Sequence, residues 1–187
     1  MEGPTMEAMT LVLDDREWTL AERDALPDDG HRYELIDGAL VVTPSPGADH
    51  QRAVRGLFLA LDRACPAEFE IFFAPFDVLL DPKTAMQPDL LIARREDVGE
   101  RGVTAAPVLA VEVLSPSTQV IDRNLKLQRF ERAGMPNYWL VDPKRLVLSV
   151  YELAGSRYQH IAEVAADETW ATERPFPVTI EPGTLLR

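Results

Sequence analysis

Gln87-Pro88-Asp89-Leu90-Leu91-Ile92 and, further on, Val108-Leu109-Ala110-Val111-Glu112-Val113-Leu114-Ser115 decide the fold. Both are apolar β-type runs, and each carries one carboxylate. A run as apolar as the second reads as a strand buried on both faces, where an ionised group is costly unless something pairs with it. Glu112 therefore needs a partner. A divalent cation shared with Asp89 is one solution, because hard cations such as Mg2+ take carboxylate, carbonyl and water oxygens. The plainer alternative is that Asp89 caps a turn after Pro88 and Glu112 pairs with a basic side chain.

Downstream of Ser115-Pro116-Ser117-Thr118, the segment from Gln119 to Ala133 has apolar residues at helical spacing, Ile121, Leu125 and Phe130, and stops at Gly134 and Pro136. Lys126 lies inside this helix, within reach of the strand end that carries Glu112. Two acids on adjacent strands with a lysine nearby are the minimal set for metal-assisted phosphodiester cleavage. The acids hold the metal, the metal makes hydroxide available near neutral pH, and the lysine orients the nucleophile or neutralises developing charge.

The strings YELIDGALVV, PDLLIA, VLAVEVLSPST, DRNLKLQRFERAGMPNYWLVDP and VYEL, in this order, resemble the bacterial Uma-type family of putative restriction endonucleases, a branch of the PD-(D/E)XK nuclease superfamily. The resemblance runs from about Tyr33 to Leu153. It implies a restriction endonuclease-like fold, a Mg2+ cofactor with Mn2+ as a substitute, and DNA as substrate. Residue by residue it implies Asp89, Glu112, Lys126 and Glu34 as catalytic. Asp89, Glu112, the Val113 carbonyl and Glu34 would be metal ligands, with His50 as a polar neighbour. Two departures stand out. The superfamily lysine normally follows the second acid by two residues, and that place here is Leu114, so the resemblance implies that Lys126 substitutes for it. Phe130 stands where relatives often carry tyrosine.

Composition narrows the setting. The 187 residues suffice for one domain with a sizeable core, and a single domain over 1–187 is expected, with the motifs between about 33 and 153. Lys and Arg total 19 against 31 Asp and Glu, a formal charge of -12. Such a surface repels phosphate at long range and weakens any affinity for DNA. The lone Cys65 excludes an intrachain disulfide, and no run is long and apolar enough to span a bilayer. The N-terminus lacks the order of a signal peptide, so the expectation is a cytoplasmic protein with no membrane partner. A two-fold dimer is expected, since two related sites suit a nuclease that cuts both strands of a duplex.

The remaining elements follow from local patterns. Residues 1 to about 16 read as an arm or an edge strand. Thr19 and Glu22 form a capping-box pattern, and Asp37-Gly38 joins Tyr33–Ile36 to Ala39–Val42 as a hairpin. Taken alone, Glu34 reads as a solvated edge residue or a partner of Arg32. Gly47 to Ala64 is an amphipathic helix with His50 near its start. Phe69–Phe73 and Phe76–Leu80 are strands whose Ala74-Pro75 break suits a kink in one long strand. Residues 93 to 107 read as a surface loop, and 146–153, 158–165 and 176–180 as further strands.

The expected architecture is α/β, a mixed, mainly antiparallel central sheet flanked by helices. The expected function is a Mg2+-dependent nuclease acting on DNA. Its alternatives are a non-catalytic binding or regulatory protein that keeps the nuclease fold, and a metal-dependent hydrolase of a smaller phosphate ester. On this reading, Lys126→Ala should lose turnover and keep its stability.

Overall fold

The computed structural model describes residues 10–12 and 16–187, and the remainder of the expected N-terminal arm lies outside them. The chain opens with β1 (Thr10–Val12) and α1 (Leu20–Asp24), whose capping box is formed: the Thr19 hydroxyl accepts from the Glu22 amide and the Glu22 carboxylate accepts from the Thr19 amide at 2.9 Å. β2 (Arg32–Ile36) and β3 (Ala39–Thr43) form a hairpin on Asp37 and Gly38, with φ of 49° and 82°. Two consecutive positive φ values make the type I′ turn that matches strand twist. α2 (Ala48–Asp62) turns Ala53, Val54, Leu57 and Leu61 inward at three- and four-residue spacing.

Next come β4 (Phe69–Phe73), β5 (Asp77–Asp81), β6 (Thr84–Met86), β7 (Leu90–Arg94), β8 (Gly102–Val103) and β9 (Leu109–Val113). A π-helical turn (Ile121–Lys126) runs straight into α3 (Leu127–Arg132). The chain closes with β10 (Asn137–Asp142), β11 (Val147–Ala154), β12 (Arg157–Val164), β13 (Trp170–Thr172) and β14 (Val178–Ile180). Among the described residues no helix is long and apolar enough to cross a membrane.

The strands divide between two six-stranded sheets. One has the order β1-β3-β2-β6-β5-β8 and the other β12-β11-β10-β9-β7-β4, with β13 and β14 as a separate ribbon. Only β9–β10 and β5–β8 are parallel among the named pairs, so both sheets are mixed and mainly antiparallel. The second sheet is apolar on both faces. Leu90 and Ile92 of β7 and Leu109, Val111 and Val113 of β9 pack with α2 and β14, while Leu91, Ala93 and Ala110 pack with the first sheet and Phe130 of α3. Burial on both faces is why β9 reads as an unbroken apolar run.

Three features depart from what the sequence predicts. Ala74-Pro75 is not a kink within one strand: β4 belongs to one sheet and β5 to the other, so the chain changes layer there. The chain returns between β6 and β7, at Gln87-Pro88-Asp89. The segment from 93 to 107 is more than a solvated loop, because Gly102 and Val103 form β8 and are buried against β5. β13 carries no pattern strong enough to announce a strand. The expected helices at 47–64 and 119–133 are present, the second with its π-turn.

Gly56 is helix-unfavourable by propensity, yet it lies in the middle of α2. A Cβ there would collide with the main chain of Leu185, lying 2.8 Å from its Cα. Gly56 thus lets the C-terminal segment lie against the helix that carries His50. Gly56→Ala should lower stability by about 1–3 kcal/mol, the usual cost of overpacking, despite the gain in helix propensity. Urea unfolding of both proteins measures the difference.

Candidate active site

The candidate site lies where the chain passes between its two sheets. β7 and β9 pair antiparallel with Leu90 opposite Val111. One step further along that register sets Asp89 opposite Glu112, on the face of Leu91 and Ala110 that looks toward the first sheet. Glu34 comes from that sheet, on β2. Its Oε1 accepts from the Gln87 amide at 2.7 Å, which fixes it beside the crossing that delivers Asp89. Lys126 enters from the π-turn, its Nζ 2.8 Å from Glu34 Oε1, 2.9 Å from Glu112 Oε1 and 3.7 Å from Asp122 Oδ1. Asp122 and Lys126, four residues apart in this turn, share its buried side, and the Tyr138 hydroxyl donates to the Asp122 carbonyl at 3.0 Å.

Asp89 is held by three other donors. Arg32 Nη1 approaches its Oδ1 at 2.9 Å, while His50 Nε2 and the Val113 amide approach Oδ2 at 2.9 and 2.8 Å. Lys126, Glu34 and Glu112 are each 1% exposed and Asp89 is 5% exposed. Arg32 and His50 lie nearer the surface and, with Asp89, line a cleft of about 860 Å3. The Glu34–Lys126–Glu112 group is therefore sealed behind Arg32, and Asp89 is the acid that meets the cleft.

Charge within the cluster is unbalanced. Four carboxylates, those of Glu34, Asp89, Glu112 and Asp122, face the fixed cations Lys126 and Arg32. Burial works against the charge on Lys126, but Glu112, Glu34 and Asp122 outweigh it and raise its pKa. It is thus an ammonium with no lone pair to accept a proton. Burial likewise opposes the Asp89 carboxylate, and His50 and Arg32 override it, holding its pKa far below the ordinary range. Burial pushes Asp122 up to about 6, against the pull of Lys126. Glu112 is likewise raised well above its ordinary value, by burial first and then by Asp122, Asp89 and Glu34 against the pull of Lys126.

Among the described residues no three Asp, Glu, His or Cys side chains already stand as a metal cage. The reason is visible in the contacts: Lys126 occupies one oxygen of Glu34 and one of Glu112, and both oxygens of Asp89 have donors. The donor set itself fits a divalent cation, being all hard oxygen with more carboxylates than fixed cations, and ionised acids in excess of Lys126 and Arg32 are what such a cation would neutralise. A cation approaching Asp89 Oδ1 would compete there with the Arg32 guanidinium.

The sequence-named residues Glu34, His50, Asp89, Glu112, Val113 and Lys126 meet here, Val113 through its amide in the observed contacts. Arg32 and Asp122 belong to the cluster as well. Arg32 figures in the sequence only as a partner for Glu34, and its nearer contact is Asp89, at 2.9 against 3.9 Å. Asp122 had a signal, its i,i+4 spacing to Lys126, which on a surface helix is commonplace. Phe130 is fully buried against Tyr138, with ring centroids 5.5 Å apart.

The family model described as "Uma2: Putative restriction endonuclease" matches residues 20–185. No curated protein matches the chain. Among solved structures, a putative nuclease belonging to DUF820 from Anabaena variabilis ATCC 29413 is similar, with a TM-score of 0.68 at 19% identity over 90% of this chain and 97% of that one. The fold is restriction endonuclease-like.

Two outcomes follow from the buried charges. Between the ordinary carboxylate range, about 4, and about 6, Asp122 keeps in the folded state a proton that it gives up in the unfolded chain, while Asp89, held far below that range, works the other way only below about pH 5. Stability conferred by the protonated acids is present below that window and is lost as pH rises through it. Above about pH 5, where Asp89 is ionised in both states, the metal-free protein should therefore melt at progressively lower temperature up to about pH 7, and Asp122→Asn should flatten the slope, as calorimetry across pH would read. Lys126→Ala should not leave stability intact as the sequence suggests. Stripping the cation from buried acids should cost about 3–5 kcal/mol, or draw a compensating proton onto Glu112.

Proposed function

This chain belongs to the Uma2 family, and we propose that it is a metal-dependent nuclease hydrolysing DNA phosphodiester bonds, with Mg2+ as the cofactor and Mn2+ able to replace it. The observation that carries this reading is the convergence of Glu34, Asp89, Glu112 and Lys126, from both sheets and a helix, behind a cleft that Asp89 borders. A divalent cation held by Asp89, Glu112, the Val113 carbonyl and Glu34 supplies Lewis acidity toward phosphate and acidifies water.

The protein's own groups do the rest. Arg32, released from Asp89, carries a guanidinium suited to bidentate contact with phosphate oxygens. Lys126 contributes a fixed positive charge and up to three N–H donors, so it orients water or steadies charge and does not abstract a proton. His50, with Nε2 on Asp89, holds that carboxylate's orientation. A two-fold dimer would present two such sites to the two strands of a duplex.

A second reading, a non-catalytic binding protein on the same fold, draws on the satisfied oxygens of Asp89 and the charge of -12. Incubation of supercoiled, linear and single-stranded DNA with Mg2+, Mn2+ or EDTA separates the two. Cleavage with either metal and none in EDTA is expected. Asp89→Asn and Glu112→Gln should lower it by at least about a hundredfold, a loss typical of removing a group that stabilises the transition state. Intact DNA throughout, with DNA binding retained, would leave the non-catalytic reading standing.

A further inference from the structure

The cleft above Asp89 is walled by aromatic rings from both layers, and its cations are already committed. From one side come Phe58 of α2 and Phe73 of β4, ring centroids 4.9 Å apart and planes at 57°, with Phe73 43% exposed. From the chain entering the first sheet come His31 and Tyr33, 6.4 Å apart at 55°. All four line the cavity that Asp89 borders. Phe73 pairs with Leu90 across β4–β7, and the next amide, that of Ala74, donates to the Asp89 carbonyl at 3.3 Å. The backbones of Phe73 and Asp89 are thus about one strand spacing apart, roughly 5 Å, with the Phe73 ring on the face of Leu90 and α2, and both residues line the one cavity.

The arginines along the same walls are spoken for. Arg23 bonds Asp24 at 2.6 Å and Asp77 at 2.7 Å, Arg101 lies 3.2 Å from Asp24, and Arg32 is on Asp89. Arg55 bonds the main-chain oxygen of Arg187. Duplex binding draws its affinity chiefly from free cations that neutralise phosphates, and a chain of charge -12 with paired arginines is poorly equipped for that. Stacking of bases on exposed rings needs no net positive charge, but it needs a base whose face is free. In a duplex those faces are covered by neighbouring base pairs.

We infer that the Phe58–Phe73 and His31–Tyr33 walls form a stacking site for unpaired bases, so that the nucleic acid taken at Asp89 is single-stranded DNA. The inference rests on the nuclease reading for what happens next and is independent of it for binding. Its cavity of about 860 Å3 lies within the range of small-ligand pockets, roughly 300–1,000 Å3. That suits a short stretch of one strand.

The test is fluorescence anisotropy in EDTA, where nothing is turned over, with labelled oligothymidylate, its duplex with oligodeoxyadenylate, and an abasic oligomer of equal length. The single strand should bind about tenfold or more tightly than the abasic strand or the duplex, with a shallow salt dependence. Phe73→Leu keeps an apolar side chain at this exposed position and should lose most of that preference. Phe73→Trp should keep it and show quenched tryptophan emission on binding. Equal affinity for the abasic strand, or an unchanged preference in Phe73→Leu, overturns the inference. So does Phe73→Leu dissociating a dimer in light scattering with oligonucleotide affinity unaltered, since a second copy would then cover the rings. Binding preference without metal-dependent cleavage removes the nuclease reading and leaves the stacking site. Duplex cleaved as fast as single strand, by the parent and Phe73→Leu alike, does the reverse.

Discussion

The ammonium of Lys126, closed between Glu34 and Glu112, is the contact on which the rest of the structure depends. It joins three parts of the fold that share no backbone hydrogen bonds: β2 of one sheet, β9 of the other and the π-turn before α3. A charged group with 1% exposure is tolerable only if each of its donors finds an acceptor and nearby charges repay its lost hydration. Here the repayment is excessive, because the second sheet also delivers Asp89 and the helix delivers Asp122. The site is consequently over-supplied with carboxylate. That imbalance distinguishes it from an ordinary buried ion pair, whose charges cancel, and it gives an incoming divalent cation something to relieve.

Much of this was legible in the sequence. β9 announced itself because burial on both faces leaves no room for polar residues, so the single acid at Glu112 stood out. The Asp37-Gly38 turn and the Thr19–Glu22 cap are local devices whose chemistry lies within four residues, and both formed as read. The division of strands between two sheets was not legible. A chain that passes from β4 to β5 through Ala74-Pro75 has the same local signature as one that kinks within a strand, and only long-range packing tells them apart. Gly102-Val103 likewise looks like loop, since two residues carry no period. In the site, Glu34 could not be read from alternation alone: on a solvated edge strand it would look identical, and its burial depends on β6 and the Gln87 crossing beside it.

Placing the cation on a helix instead of on the strand has mechanical consequences. Residue 114 lies two positions after Glu112 and so shares its face, which is where a strand-borne lysine would stand beside the acid. Here Leu114 is 6% exposed and joins the apolar cluster with Phe130 and Tyr138. The cation must then reach the same face from outside the sheet, and the four-residue spacing of Asp122, Lys126 and Phe130 keeps all three on the inward side of the helix. A π-turn runs over Ile121–Lys126, and the Tyr138 hydroxyl on the Asp122 carbonyl anchors it. Phe130 contributes its ring to that arrangement, packed against Tyr138, whose hydroxyl supplies the bond to the π-turn.

Arg32 has the opposite character. Its side chain is 19% exposed where that of Lys126 is 2%, and it borders the cleft that Lys126 does not reach. The two cations therefore divide one electrostatic task by depth. The inner one is fixed by three acids, whereas the outer one is held mainly by Asp89 and can exchange that partner for another. A cation entering at Asp89 would take over the neutralisation that Arg32 now provides, and the freed guanidinium would then face the cleft where an anionic substrate arrives. The same guanidinium that keeps the carboxylate cluster tolerable would thus become, on exchange, the positive charge nearest the substrate, which a chain of charge -12 has little means of supplying elsewhere along this cleft.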